Sequence, residues 1–206
     1  MNSNKNDTCA SEGAELPVEF PHLFPMLGAR MKPYQVIAKH LREATKHIDA
    51  KPVENAEEPM GFPHLFWMLG VIASGAMNET KSSRWLGYVY AVLRDKQAVP
   101  EITTSQLETF NEYDGIKYDL TRLRSSVEIT EGYLKEANEM QGTTEFLIDD
   151  DSLPNLYAIL RYVHGSLTTA MTANFWIGYV QGCMVAKGML NVNEERDRTR
   201  PIFNGY

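Results

Sequence analysis

The chain has 206 residues, 43% of them apolar and 10% aromatic, with a net charge of -7 and a sequence pI near 5.3. That length fits one large domain or two small ones with a real core, and the acidic balance argues against a general nucleic-acid binder. Cys9 and Cys183 are too few for a disulfide framework, the first fifteen residues lack the apolar centre of a secretory signal, and no apolar run reaches the roughly 20 residues of a membrane span; the expectation is a soluble protein with reduced thiols.

Residues 1–15, rich in Asn, Ser, Asp, Glu and Gly, read as a frayed tail. Residues 16–58 read as N-terminal helices. The first runs from Val18 to about Met31, with Pro21 in its first turn and Pro25 set to kink it. Pro33 opens the next, in which Ile37, Leu41, Ala44 and Ile48 recur at helical spacing, and Lys51 to Pro59 reads as a linker. Residues 59–112 hold a first helical unit: a helix from about Pro63 to Met77, a turn at Asn78-Glu-Thr-Lys81, and a helix from about Ser82 to Gln97 stopped by Pro100. Thr103-Thr-Ser-Gln106 has the pattern of a capping box. Residues 113–151 read as a long amphipathic helix carrying Ile116, Leu120, Leu123, Val127, Leu134 and Ala137, then an acidic connection. Residues 152–206 hold a second unit, capped by Ser152, with helices from about Pro154 to Leu167 and Thr172 to Gly188 and a last short helix from Asn193 that Pro201 closes. From residue 16 onward these pieces read as one compact domain.

The two units are a repeat, which is informative about architecture before any other motif. Trp85-Leu-Gly-Tyr-Val returns 91 residues later as Trp176-Ile-Gly-Tyr-Val, and the match runs without a gap from Phe62–Val99 to Leu153–Leu190. A partial copy, Phe20 to Gly28, matches Phe62 to Gly70 except at Pro25 against Trp67. The expected fold class is all-α: a helical bundle built from two tandem copies of a helical hairpin plus extra N-terminal helices. Small residues recur every fourth position on the second helices, as Ser83, Gly87, Ala91 and as Gly178, Gly182, Ala186. A helical glycine costs about 1 kcal/mol relative to alanine, so a close crossing of these two helices, with approximate two-fold symmetry, would explain them. The alternative is that each glycine makes room for a large side chain such as Trp67. Leu65, Leu69, Trp85, Val89, Leu156, Leu160, Trp176 and Val180 are the expected core.

Chemistry-bearing patterns are sparse. His40, Glu43 and His47 share one helical face, but lysines and arginines intervene and the dense His-Glu-x-x-His spacing is absent, which reads as a solvated face. Glu54-x-x-Glu57 and Glu194-x-x-Asp197 have the spacing of magnesium-binding carboxylates, yet one lies in a proline-flanked linker and the other far along the chain. There is no phosphate loop, nucleophile elbow or Cys/His cluster. His22 and His64 follow prolines at matching positions where the other copy has Asn155, which favours a helix-start contact. Trp85, Tyr88, Trp176 and Tyr179 are candidate pocket aromatics whose spacing is more often that of core. No catalytic, cofactor-binding or metal-ligating residue is assigned, and no cofactor is expected.

The run Trp176-Ile-Gly-Tyr-Val-Gln-Gly182 followed by Glu194-Glu-Arg-Asp-Arg-Thr-Arg-Pro201 resembles small helical accessory proteins of phages and prophages. The likeness covers about residues 153–206 well and 62–110 less well; the first copy departs from it with Tyr90-Ala91 where Gln-Gly stands in the second. The resemblance carries no activity over to this chain, and whether it is an enzyme stays open, the reading leaning toward a non-enzymatic role. It implies an accessory role in the host cell cytoplasm by binding a bacterial host protein, host-defence proteins included; the charge and the apolar runs already argue against nucleic acid and membrane as partners, and a homo-oligomer stays open. The alternative is an all-α magnesium-dependent nucleotide pyrophosphohydrolase or a nucleotide-binding sponge. The candidate interaction surface is taken from the parts that break the repeat: Phe20, Phe24 and Leu27, and the closing Arg196, Arg198, Arg200 and Phe203.

Overall fold

The computed structural model describes residues 31–100, 127–128, 130–132, 150–165 and 169–204, and every regular element among them is an α-helix. These elements belong to one compact unit, Lys32–Tyr206. No described helix is long and apolar enough to cross a membrane. The helix expected from Val18, with Phe20, Phe24 and Leu27, and the capping box at Thr103 lie outside the described residues.

Pro33 sits in the first turn of α1 (Pro33–Ala44), where its missing N–H costs no hydrogen bond, and Gln35 Oε1 accepts from the Lys32 backbone at 2.9 Å. Tyr34, Ile37, Ala38 and Leu41 form its buried face while Lys39 and Glu43 are exposed, so the helix needs a neighbour, which is α2 (Phe62–Ser74). Ile48 follows in the turn after α1 and still packs on the core. α2 closes on Gly75 at φ 73°, a left-handed position that suits glycine.

α3 (Glu79–Asp95) starts earlier than the sequence implies, because Asn78 Oδ1 accepts from the Lys81 backbone at 2.8 Å and so caps it. Glu79, Thr80 and Lys81, expected in a turn, are its first residues. Nor does Pro100 stop it: α3 ends at Asp95, with Lys96 N–H bonded to Val92 O and Ala98 N–H to Leu93 O around Gln97 at φ 54°. The described residues 127–128 and 130–132 are helical, with Val127 and Thr130 buried.

α4 (Leu153–Gly165) is followed by α5 (Ala170–Ala186), capped by Thr169 Oγ1 accepting from Thr172 N–H at 3.2 Å. Ser152 precedes α4, and its hydroxyl donates to Asp150 Oδ2 at 2.8 Å. α5 ends as α3 does, with Lys187 N–H on Cys183 O, Met189 N–H on Met184 O and Gly188 at φ 70°. α6 (Val192–Asn204) runs through Pro201 instead of closing there. That proline lies three residues from the end, so its missing donor disturbs a single turn.

The bounds of α4 and α5 are those of α2 and α3 displaced by 91 residues. The most extensive helix packing is α3 against α5, and small residues make it close. A Cβ on Gly87 would stand 2.0 Å from the Phe175 carbonyl oxygen, and one on Gly178 would stand 1.9 Å from that of Arg84. The crossing explanation for these glycines therefore holds, and no side chain such as Trp67 is needed. Of the expected core, all but Trp85 is fully buried; Trp85 is half-buried because its ring turns toward a cleft.

Candidate functional site

The cleft lies beside the α3–α5 crossing and holds about 300 Å³ between the 54–59 linker, α2, α3, α5 and α6. Helical spacing arranges its aromatic wall. His64 and Trp67, one turn apart on α2, stack with ring centroids 5.3 Å apart, and Trp67 meets Trp85 of α3 at 5.8 Å. Lys81, one turn before Trp85, holds its ammonium 5.1 Å from that ring, a cation–π contact. Arg84 and Tyr88 continue the same face of α3 into the cleft. Arg84 Nη1 donates to Asn174 Oδ1 at 3.0 Å, and the Tyr88 hydroxyl donates to the Pro59 carbonyl at 3.4 Å.

α6 closes the other side. Gln181 of α5 donates its amide to Glu195 Oε1 at 2.8 Å, Arg198 Nε donates to Glu195 Oε2 at 3.0 Å, and Thr199 Oγ1 donates to the Glu195 carbonyl at 2.8 Å. Glu195 is 7% exposed, and a buried carboxylate persists when it is paired in this way. Arg196 and Arg200 face the cleft with side chains about half exposed, and their nearest described carboxylate is Asp197, at 3.9 and 3.5 Å. The lining thus carries Lys81, Arg84, Arg196 and Arg200 against Glu54 and Glu195, and Glu195 is already taken by Arg198. In a chain of net charge -7 this is a local positive site.

Burial pulls the His64 imidazole below its ordinary value, Glu54 opposing and Arg196 adding to the shift. The Asn55 backbone N–H donates to His64 Nδ1 at 2.9 Å, so the neutral ring carries its proton on Nε2. Burial likewise pushes the Tyr88 phenol above its usual range, keeping it a neutral donor. The arrangement can stack a flat ring and neutralise an anion.

The candidates from the sequence separate cleanly. Trp85, Tyr88, Arg196 and Arg200 come together in the cleft. Arg198 turns inward to Glu195. Trp176 and Tyr179, 4% and 0% exposed, are core; there Arg94 donates to the Tyr179 hydroxyl at 2.7 Å, and burial pushes the neighbouring Cys183 thiol up to about 12. The Phe203 backbone belongs to the last turn of α6. Glu43 pairs with Lys46, and His47 Nδ1 lies 3.0 Å from the Ala44 carbonyl. Among the described residues no group of three or more His, Cys, Asp or Glu is placed to hold a metal ion.

Sequence reasoning passed over Trp67, Lys81, Arg84 and Gln181. The available signal was disagreement inside the repeat, since these residues stand against Ala158, Thr172, Phe175 and Tyr90 in the other copy. A second depression of about 420 Å³ between α1 and α2 is largely apolar, with Arg42 4.1 Å above the Phe66 ring. Compared with known proteins, the chain matches no family profile, no curated protein and no solved structure.

Proposed function

We propose that this chain is a non-enzymatic binding protein that captures a small anionic molecule of a bacterial host in the cleft beside the α3–α5 crossing. The observation that carries this reading is the convergence of Lys81, Arg84, Arg196 and Arg200 with Trp67 and Trp85 on one cleft in an acidic chain. Its size, about 300 Å³, is at the lower end of the ~300–1,000 Å³ typical of small-molecule sites. The likeness of the closing segment to phage and prophage accessory proteins supports a setting in the host cytoplasm, where sequestering a host molecule, one used in defence included, benefits the phage. A second reading, in which a host protein is the partner, draws support from the half-exposed Arg196 and Arg200 on the rim, residues of a type enriched where interfaces carry binding energy.

In this reading the pairs α2–α3 and α4–α5 are copies of one hairpin, related by an approximate two-fold axis. Support comes from the recurrence of helix bounds and caps at an interval of 91 residues and from reciprocal contacts. Gly87 meets Phe175 while Gly178 meets Arg84, the matching pair, and Gly182 meets Ala91, its own counterpart.

The test is recovery of bound material. Wild-type protein and a Lys81→Glu/Arg196→Glu/Arg200→Glu variant are purified from bacterial lysate, denatured, and their released small molecules and co-purifying proteins identified. The expected outcome is an anionic small molecule released unchanged by the wild type and missing from the variant. Identical cargo from both proteins, or conversion of the molecule on incubation, overturns the reading; loss of a host protein instead of a small molecule supports the second one.

A further inference from the structure

The two sides of the crossing are built from matching residues and are filled differently. On one side Tyr90, Phe175, Trp176 and Tyr179 form a solid four-ring cluster: Tyr90 stacks on Phe175 at 6.3 Å and on Tyr179 at 5.8 Å, and Trp176 meets Phe175 and Tyr179 edge-on at 5.4 and 5.6 Å. None of the four is more than 4% exposed. The residues at the matching repeat positions are Gln181, Arg84, Trp85 and Tyr88, and all four line the cleft. Two rings of the cluster, Trp and Tyr, are therefore kept. At the other two positions stand an amide and a guanidinium, which bond to polar partners, Gln181 to Glu195 and Arg84 to Asn174. The cleft is thus lined where the sequence repeat has lost two of its four rings.

We infer that the cleft is a receptor for a nucleoside phosphate, whose base packs against Trp85 and Tyr88 as the other two rings pack on the far side and whose phosphate is met by Lys81, Arg196 and Arg200. This rests on the proposal that the cleft is a binding site, and it names the ligand class. A flat heteroaromatic base restores the ring-on-ring contacts that the fold keeps on its other side, since every base presents a π-face to an aromatic side chain. His64, whose Nδ1 accepts from Asn55, has its Nε2–H as a donor for the base edge. Arginine forks and a lysine ammonium are the usual partners of phosphate oxygens. At about 300 Å³ the volume suits a mononucleotide rather than a dinucleotide.

The experiment is calorimetric titration of the full chain with AMP, GMP, CMP and UMP, and with adenosine, ribose 5-phosphate and inorganic phosphate as partial ligands, followed by tryptophan fluorescence. At least one mononucleotide is expected to bind at least tenfold more tightly than the partial ligands and to quench Trp67 and Trp85. The decisive variant is Arg84→Phe/Gln181→Tyr, which places the four ring types of the other side around the cleft and fills it; it is expected to lose at least tenfold in affinity while keeping the helical circular-dichroism spectrum of the wild type. If that pair does not fold, Arg196→Glu/Arg200→Glu, at half-exposed positions, is expected to lose at least tenfold while melting as the wild type does. Equal affinity for ribose 5-phosphate and every mononucleotide overturns the base inference and leaves an anion site standing. No binding of any mononucleotide, while the wild type still yields charge-dependent cargo from lysate, overturns the ligand class alone. No cargo and no binding overturn both.

Discussion

A methyl group added at Gly178 would sit 1.9 Å from the Arg84 carbonyl oxygen, so two backbones, not two side chains, set the spacing of the crossing helices. Overpacking a core usually costs about 1–3 kcal/mol because side chains give way; here the obstacle is a helical carbonyl, which yields only if α3 and α5 separate. Gly178→Ala, and equally Gly87→Ala, are expected to destabilise by more than about 3 kcal/mol in chemical denaturation. Gly70 is the control. It is exposed inside α2, and a Cβ there meets nothing within 4 Å. Gly70→Ala should therefore raise stability by about 0.5–1 kcal/mol, through the lost backbone freedom of the unfolded chain. Equal effects of Gly70→Ala and Gly178→Ala would show that helix propensity, not the close approach, governs both sites. The close glycines were legible in the sequence because they recur on both copies at one helical spacing, whereas that same recurrence left Trp85 undecided between core and pocket. Its match to the buried Trp176 concealed that the residues around it, Arg84 and Gln181, no longer match.

At the scale of the helix, α5 and α6 fail the usual amphipathic pattern in opposite ways. Every residue of α5 from Ala170 to Val185 is buried, so it has no polar face for periodicity to detect, and only its small-residue spacing and its likeness to α3 gave it away. α6 is the reverse: its fully buried residues include Glu195 and Thr199, so the sequence reads as a solvated charged helix and hides how it is attached. The attachment is the Gln181–Glu195–Arg198 chain of hydrogen bonds, and removing its centre takes away the acceptor of the buried Gln181 amide. Leaving buried donors unsatisfied costs about 1–3 kcal/mol, so Glu195→Ala should destabilise α6 by about that amount, while Arg196→Ala, at a half-exposed side chain, should change stability by less than about 0.5 kcal/mol. Circular dichroism during urea unfolding, together with limited proteolysis after Arg198, would read both. Resistance of Glu195→Ala to cleavage at the wild-type rate would mean that α6 is held by contacts other than this chain. The caps were similarly half-legible: Asn78 was visible in the sequence, but whether it ends a turn or starts a helix depends on its bond to the Lys81 backbone.

At the scale of the whole molecule, the close α3–α5 crossing is a centre with unequal flanks. The crossing joins α3 and α5 through glycine contacts that admit no water, and the four-ring cluster seals one side of it. The other side carries the cleft and α6, joined by polar contacts and open to solvent through Arg196 and Arg200. Stability should be distributed accordingly, because amides exchange through the cheapest opening that exposes them. Those from Phe175 to Met184 of α5 have no cheap opening: their helix is buried on every side, and freeing it means separating the crossing, which amounts to global unfolding. Amides of α6 require only that the Glu195 contacts break. Native-state hydrogen exchange with peptide-level mass spectrometry should therefore find the slowest exchange in α5 and in the stretch of α3 from Leu86 to Leu93, at the free energy of global unfolding, with α6 exchanging at least tenfold faster. Gly178→Ala should bring α5 down toward α6, since it loosens the crossing, whereas Glu195→Ala should speed α6 alone. Uniform protection across α3, α5 and α6 in the wild type would mean that the cleft side is as tightly bound as the sealed side.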